Sequence, residues 1–231
     1  MTKIKFCGMV RAEDLMFAAG LGVDYIGLVL YAKSPRALSL EDAASLRRLL
    51  PSHTRAVGLF VNAHPQFVLS AQRRLGLDLV QFHGDESVQT CLESTRSIFW
   101  RAVRMTQSHS LGQAMRAFSA LSIDTAKDQT KSPQTAFCQA YLVDADAKLA
   151  YGGSGHVFDW SWLGPDAPRP ERLILSGGLT PENVSKALPL VRPWAVDVSS
   201  GIQGASPRLK DAGKMEAFVN AVRTFNHEAY A

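Results

Sequence analysis

The chain has 231 residues, of which 46% are hydrophobic and 20% are charged, and its formal net charge at neutral pH is +4. This composition excludes a disordered chain, and the length fits either one large domain or two small ones. The basic residues occur as scattered pairs such as Arg47-Arg48, with no basic stripe and no aromatic platform, so nucleic-acid binding is not expected.

The cysteines and the apolar runs indicate a reducing compartment. Cys7, Cys91 and Cys138 are too few and too scattered for a disulfide framework, and no His, Cys, Asp or Glu cluster has the spacing of metal ligands. No apolar run approaches the ~18 residues of a transmembrane helix, and no signal region is recognisable. We therefore expect a cytoplasmic protein with no membrane partner and no metal.

Strand-length apolar runs alternate with helix-length amphipathic stretches from the start of the chain. The first four strands are predicted at residues 3–7, 25–30, 56–61 and 77–82. Helices follow them at about 11–21, 39–50, 65–75 and 87–95. Ser39 is followed three residues later by Asp42, which marks a helix start, and Pro65 suits a first helical position.

The same alternation continues through the second half. Strands are predicted at 98–103, 140–144, 173–176 and 195–198, with helices at about 110–121, 181–187 and 210–226. The helix after the sixth strand is short or displaced, near 159–163. Residues 124–134 are polar and aperiodic, which predicts an exposed insertion between the fifth helix and the sixth strand.

Eight strand-plus-helix units predict a single (β/α)₈ TIM barrel, an α/β fold that spans residues 1–231 as one domain. The strands are almost continuously apolar, as a parallel sheet covered by helices requires. An open doubly wound sheet is the alternative. No GxGxxG follows the first strand, which weakens that alternative.

Residues at the carboxyl ends of the strands are the functional candidates, because the active site of such a barrel lies there. Strand ends or the turns after them carry five candidate side chains: Cys7, Arg36, His83, Asp144 and Asp197. From its position alone, Cys7 is either a small buried hydrophobe or a base or nucleophile, and Asp144 either pairs locally or is catalytic. Cys91 and Cys138 are interpreted as packing residues.

Two turns rich in glycine and serine follow the last two strands. They contain Gly177 and Gly178 after the seventh strand, and Ser199, Ser200 and Gly201 after the eighth. Each could simply turn the chain. Together, at consecutive terminal strands, they favour a phosphate cradle built from unobstructed backbone N–H groups.

Seven motifs occur in a fixed order along the chain. They are Lys5-Phe6-Cys7-Gly8-Met9, residues 27–31 with Ser34-Pro35-Arg36, residues 57–62, residues 81–86, Gly152-Gly153-Ser154-Gly155 with Phe158-Asp159-Trp160, residues 175–179 and residues 196–201. In this order they resemble the phosphoribosylanthranilate isomerase family of tryptophan biosynthesis. One such motif would be a weak signal, but the ordered set is specific.

The resemblance implies an Amadori rearrangement of N-(5-phosphoribosyl)anthranilate without a cofactor. It implies that Asp144 is the general acid and that Cys7 is the general base, reachable as a thiolate. Arg36 would hold the anthranilate carboxylate and Asp197 would contact sugar hydroxyls, and His83 is a further substrate-binding residue. The Gly177-Gly178 and Ser199-Ser200-Gly201 turns would hold the phosphate, and the 152–155 loop would fold over the substrate.

Some positions depart from the family pattern. Gln203 stands where the family usually has Glu, His156 where Lys is common, and Ala145 where Thr is common. A histidine-pathway sugar isomerase would have aspartate in place of Cys7, and indole-glycerol-phosphate synthase would have a longer N-terminal extension and an early catalytic lysine. A barrel that binds phosphosugar without turnover is the third alternative. We expect a small-molecule substrate and a monomer or homodimer.

Overall fold

The structure is a computed structural model, and it describes residues 1–127, 136–145 and 158–230. Eight parallel strands form a closed barrel in sequential order: β1 (Lys3–Cys7), β2 (Tyr25–Val29), β3 (Arg55–Phe60), β4 (Leu79–Phe82), β5 (Phe99–Met105), β6 (Cys138–Ala145), β7 (Leu173–Leu175) and β8 (Ala195–Val198). β8 pairs with β1, with Lys5 opposite Asp197. This closure confirms the predicted TIM barrel, and the alternative prediction of an open doubly wound sheet is wrong.

Helices cover the outside of the barrel. They are α1 (Ala12–Gly20), α2 (Leu40–Leu49), α3 (Pro65–Leu75), α4 (Val88–Glu93), α5 (Ser110–Lys127), α6 (Pro181–Val191) and α7 (Ala212–Tyr230). Short 3-10 helices lie at Trp160–Leu163, where a short or displaced helix is predicted, and at Ser200–Ile202. The Ser39 hydroxyl accepts from the Asp42 N–H at 3.0 Å, so this predicted helix start is confirmed.

Three helices run further than their sequence pattern predicts, and the last of them, α7, ends at Tyr230 instead of about residue 226. α5 continues through residue 127, so residues 124–127 of the predicted insertion are helical, and residues 128–134 lie outside the described residues. Once a helix is nucleated, each further residue adds one backbone hydrogen bond, so α5 extends beyond the stretch that the sequence pattern marks. α6 continues past Pro189, which removes one hydrogen bond, because Leu188 and Val191 bury their side chains in the last turn.

Strand alternation divides the buried residues into two layers. Residues such as Phe6 and Ile26 point outward and join the large core between barrel and helices. Inward residues fill the lower barrel, where Tyr25 packs edge-on against Trp100 with ring centroids 4.8 Å apart. The barrel is therefore filled at its amino-terminal end, and inward residues further along each strand lie toward the mouth. Within the described ranges, no helix is both long enough and apolar enough to span a membrane.

Candidate active site

The mouth of the barrel collects side chains that point inward from the carboxyl ends of the strands. The period of two that places Tyr25 and Trp100 inside also turns Lys5 and Cys7 inward on β1. The same alternation turns Asp144 and Asp197 inward on β6 and β8, and both are buried. The predicted catalytic pair, Cys7 and Asp144, thus lies at one mouth.

Cys7 is buried beside an apolar patch formed by Val29, Leu59 and Val61. Burial raises the pKa of its thiol above the ordinary value, although the positive charges of Lys5 and Lys210 act in the opposite direction. The resting environment therefore favours the thiol, whereas the family resemblance implies that the thiolate can be reached. Formation of the thiolate depends on the cations around the sulfur.

Asp144 is the end of a buried hydrogen-bonded chain of three side chains. Its Oδ2 lies 3.1 Å from Nε2 of His83, and Nδ1 of His83 lies 2.8 Å from Nε2 of Gln81. An amide nitrogen only donates, so Nδ1 accepts and Nε2 carries the ring proton that faces Asp144. Asp144 Oδ1 accepts from the Ala145 N–H at 2.9 Å. Both nitrogens of His83 are engaged, so His83 acts on Asp144 in this arrangement.

Arg36 lies across the end of β1. Its side chain is buried against Gly8, which has a φ of +73° and leaves no room for a β-carbon beside the Arg36 Cδ. Its Nη2 donates to Oε1 of Gln203 at 2.6 Å, while its Nε has no hydrogen-bond partner among the described residues. A buried cation with an unsatisfied donor is suited to a planar anion such as a carboxylate.

Asp197 forms a fully interior ion pair. Its Oδ1 accepts from Lys5 Nζ at 2.8 Å, and the Ser176 hydroxyl lies 3.5 Å from Oδ2. The side chains of Lys5 and Asp197 are 0% and 5% exposed. The predicted contact of Asp197 with sugar hydroxyls stays a prediction, because this carboxylate is already engaged inside the barrel.

The two glycine-rich turns flank the mouth as predicted. Gly177 and Gly178 have φ values of +85° and +66°, a conformation that favours glycine. Gly201 packs so closely on the Leu179 carbonyl oxygen that a β-carbon would overlap it. Ser199 donates from its hydroxyl to the Cys7 carbonyl at 3.0 Å. The turn after β8 is therefore tied directly to the end of β1, with Ser200 at the start of its 3-10 helix.

Lys210 also connects the turn after β8 to the end of β1. It is buried, and its Nζ donates to the carbonyls of Cys7 at 2.9 Å and Ser199 at 2.8 Å. Burial and the nearby charge of Arg36 lower the pKa of Lys210 to about 7. The sequence patterns did not identify Lys210, Lys5 or Gln81 as functional residues. The last two stand two residues before a candidate side chain on the same strand, a spacing that could have identified them.

Other predicted features fall elsewhere or outside the described chain. Cys91 is buried on α4, and Cys138 begins β6, so neither lies at the mouth. The 152–155 loop and His156 lie outside the described residues. Among the residues that are described, no group of three or more His, Cys, Asp or Glu could hold a metal ion.

The fold and the site define a class: a TIM barrel whose mouth combines a candidate acid and a candidate base with a buried arginine and glycine-rich turns of the phosphate-binding kind. Residues 4–221 match the model of the family described as N-(5'phosphoribosyl)anthranilate (PRA) isomerase. The chain therefore belongs to the N-(5'-phosphoribosyl)anthranilate isomerase family, as its motifs predict.

Relatives of known name agree with this assignment. The N-(5'-phosphoribosyl)anthranilate isomerase of Leptothrix cholodnii is 44% identical over 222 residues, which cover 96% of this chain and 91% of the relative. The crystal structure of phosphoribosyl anthranilate isomerase from Thermotoga maritima matches with a TM-score of 0.82 at 33% identity, covering 97% of this chain and all of that one. A structure of such an isomerase in complex with reduced 1-(o-carboxyphenylamino)-1-deoxyribulose 5-phosphate matches with a TM-score of 0.79 at 33% identity and the same coverage.

Proposed function

We propose that this protein converts N-(5'-phosphoribosyl)anthranilate into 1-(2-carboxyphenylamino)-1-deoxyribulose 5-phosphate in tryptophan biosynthesis. The family match and the relative that binds a reduced form of this product support the activity. The observation that carries the catalytic assignment is the placement of Cys7 and Asp144 at one mouth, on β1 and β6, which are separated around the barrel by β7 and β8. The rearrangement moves protons and electrons within the substrate, so this chemistry requires no redox cofactor.

Asp144 acts first, as the general acid. It protonates the ring oxygen of the furanose, the bond from that oxygen to C1 breaks, and the nitrogen lone pair forms an iminium at C1. Nε2 of His83 donates to Oδ2 of Asp144 and so fixes the orientation of the carboxyl group. Gln81 fixes the ring of His83 in turn. The acid therefore sits on a rigid strand with two supporting side chains.

Cys7 acts second, as the general base. Its thiolate takes the proton from C2, and the electrons of that C–H bond move toward the iminium nitrogen to give an enolamine. The C2 hydroxyl of the enolamine then loses its proton while C1 gains one, so that the C1–C2 double bond becomes the C2 carbonyl of the ketose. The base is at the end of β1 and the acid is at the end of β6, so each can reach its own atom of a substrate lying across the mouth.

Arg36 and the two turns hold the ends of the substrate. The anthranilate carboxylate fits the Arg36 guanidinium, whose Nε lacks a partner among the described residues. The phosphate fits the glycine-rich turns after β7 and β8, where backbone N–H groups are not shielded by side chains. With both charged ends held, the reacting carbons lie between Cys7 and Asp144.

Genetic rescue tests the proposed activity. Expression of this chain should restore growth without tryptophan to a strain that lacks the isomerase, and Cys7→Ala should abolish the rescue. Cys91→Ala is the matched control, because Cys91 is a buried cysteine on α4 and should leave rescue intact. Failure of the well-expressed, folded wild-type chain would contradict the proposal and favour a histidine-pathway isomerase or a binding protein.

A further inference from the structure

Lys5 is a buried cation that structural stability does not explain. Its side chain is 0% exposed in the interior of the barrel, and its Nζ lies 2.8 Å from Asp197 Oδ1. A buried ion pair of this kind usually contributes little net stability, because the desolvation penalty offsets the attraction. An apolar pair of similar volume would fill the same space. The charge therefore calls for a functional explanation.

The ammonium of Lys5 and the sulfur of Cys7 lie on the same side of Gly27, inside the barrel. Both residues point inward from β1, and Gly27 on the neighbouring strand faces them with no side chain of its own. A β-carbon on Gly27 would lie 2.7 Å from Cys7 Sγ and 3.2 Å from Lys5 Nζ, so the two atoms share one small space. The charge of Lys5 therefore acts on the thiol at short range.

Four charged groups act electrostatically on the sulfur, each from a different part of the fold. They are Lys5 on β1, Asp197 on β8, Lys210 before α7, and Arg36 after β2. Burial alone lowers the pKa of Lys5, but the attraction of Asp197 and Cys7 outweighs it and leaves that pKa above its ordinary value. Lys5 therefore remains an ammonium, and of the surrounding cations it has the largest effect on the thiol.

We propose that Lys5, held in place by Asp197, is a positioning residue that stabilises the thiolate of Cys7 and so makes this buried sulfur a usable base. The inference rests on the proposed function for its catalytic meaning. In the proton-transfer step the C2 proton passes to Sγ, and Lys5 keeps its own three protons throughout. Asp197 then serves as the counter-ion of Lys5 in addition to any contact with substrate.

A thiolate titration of the unliganded protein tests the inference without turnover. The ultraviolet absorbance of the thiolate is followed against pH, and the same titration of Cys7→Ser is subtracted. Cys138 and Cys91 do not interfere, because burial raises the pKa of Cys138 to about 12 and that of Cys91 even further. Lys5→Met should raise the midpoint by about one pH unit or more, and Lys5→Arg should restore part of the difference.

Lys3→Met is the matched control. Lys3 lies two residues earlier on the same strand, pairs with Asp24 at 3.4 Å, and has a side chain that is 41% exposed. The Lys3→Met variant should leave the midpoint of the Cys7 titration unchanged. Because Lys5→Met leaves Asp197 unpaired in the interior, Lys5→Met/Asp197→Asn is a second variant, in which both charges of this ion pair are removed. Its midpoint should also lie above that of the wild type.

Activity provides an independent measurement. At pH 7, kcat/KM of Lys5→Met should fall roughly tenfold or more and recover as the pH rises, with KM nearly unchanged. A merely structural role would lower activity equally at every pH. An unchanged thiol midpoint in Lys5→Met overturns the inference, even in an active isomerase. A shifted midpoint in a chain that does not isomerise the substrate would support the role of Lys5 and refute the proposed function.

Discussion

Substitution of Gly27 by alanine tests the position of the candidate base with a single added methyl group. The new β-carbon would lie 2.7 Å from Cys7 Sγ and 3.1 Å from the Cys7 backbone Cα. Since carbon contacts are comfortable at about 3.5–4.0 Å, the sulfur would have to move by about 1 Å. A displacement of that size at a reacting atom costs on the order of 100-fold in rate.

The assay for Gly27→Ala measures kcat and KM together with urea unfolding. We expect kcat to fall about 100-fold with a smaller change in KM, and the free energy of unfolding to fall by about 1–3 kcal/mol from overpacking. Gly20→Ala is the matched control, because nothing lies within 4 Å of its β-carbon. A folded Gly27→Ala variant with kcat within about twofold of the wild type would refute the reasoning.

Three further variants test other parts of the site. Arg36→Lys loses the planar fork, so KM should rise about tenfold or more in steady-state kinetics, and an unchanged KM would remove Arg36 from carboxylate binding. Gly201→Ala places a β-carbon on the Leu179 carbonyl oxygen and so distorts this turn. The increase in melting temperature that inorganic phosphate causes should therefore be lost in this variant, and an increase that persists would mean that phosphate binds elsewhere. In the folded protein the pKa of Lys210 is lowered to about 7. Between pH 7 and about pH 10, Lys210 therefore binds about one more proton in the unfolded chain than in the folded protein. Its contribution to stability consequently rises with pH over this range. The unfolding free energy of the wild type relative to Lys210→Met should therefore rise by about 1 kcal/mol per pH unit, and a flat difference would contradict the assignment.

The barrel could be predicted because each strand carries a strong local signal. A parallel strand covered on one side by helices and on the other by the barrel interior is apolar almost throughout, as residues 56–61 show. Helix ends were less predictable. Pro189 suggests an early end to α6, but the buried side chains of Leu188 and Val191 outweigh the lost hydrogen bond.

Part of the site was equally accessible to sequence reasoning. Cys7 and Asp144 close their strands, and strand ends of a TIM barrel form its active site. The pairing of Lys5 with Asp197 could not be predicted in this way, because the two residues are separated by 192 positions and meet only when β8 closes on β1. The contact of His83 with Asp144 likewise depends on the barrel geometry across the mouth.

The most direct test of the central claim is the turnover of purified Cys7→Ala, measured with its affinity for a reduced analogue of the product. Removal of the base should lower kcat by about 100-fold or more, since general base catalysis contributes that much, and should change the dissociation constant by less than about threefold. Near-normal kcat in the folded variant would contradict the assignment of Cys7 as the base.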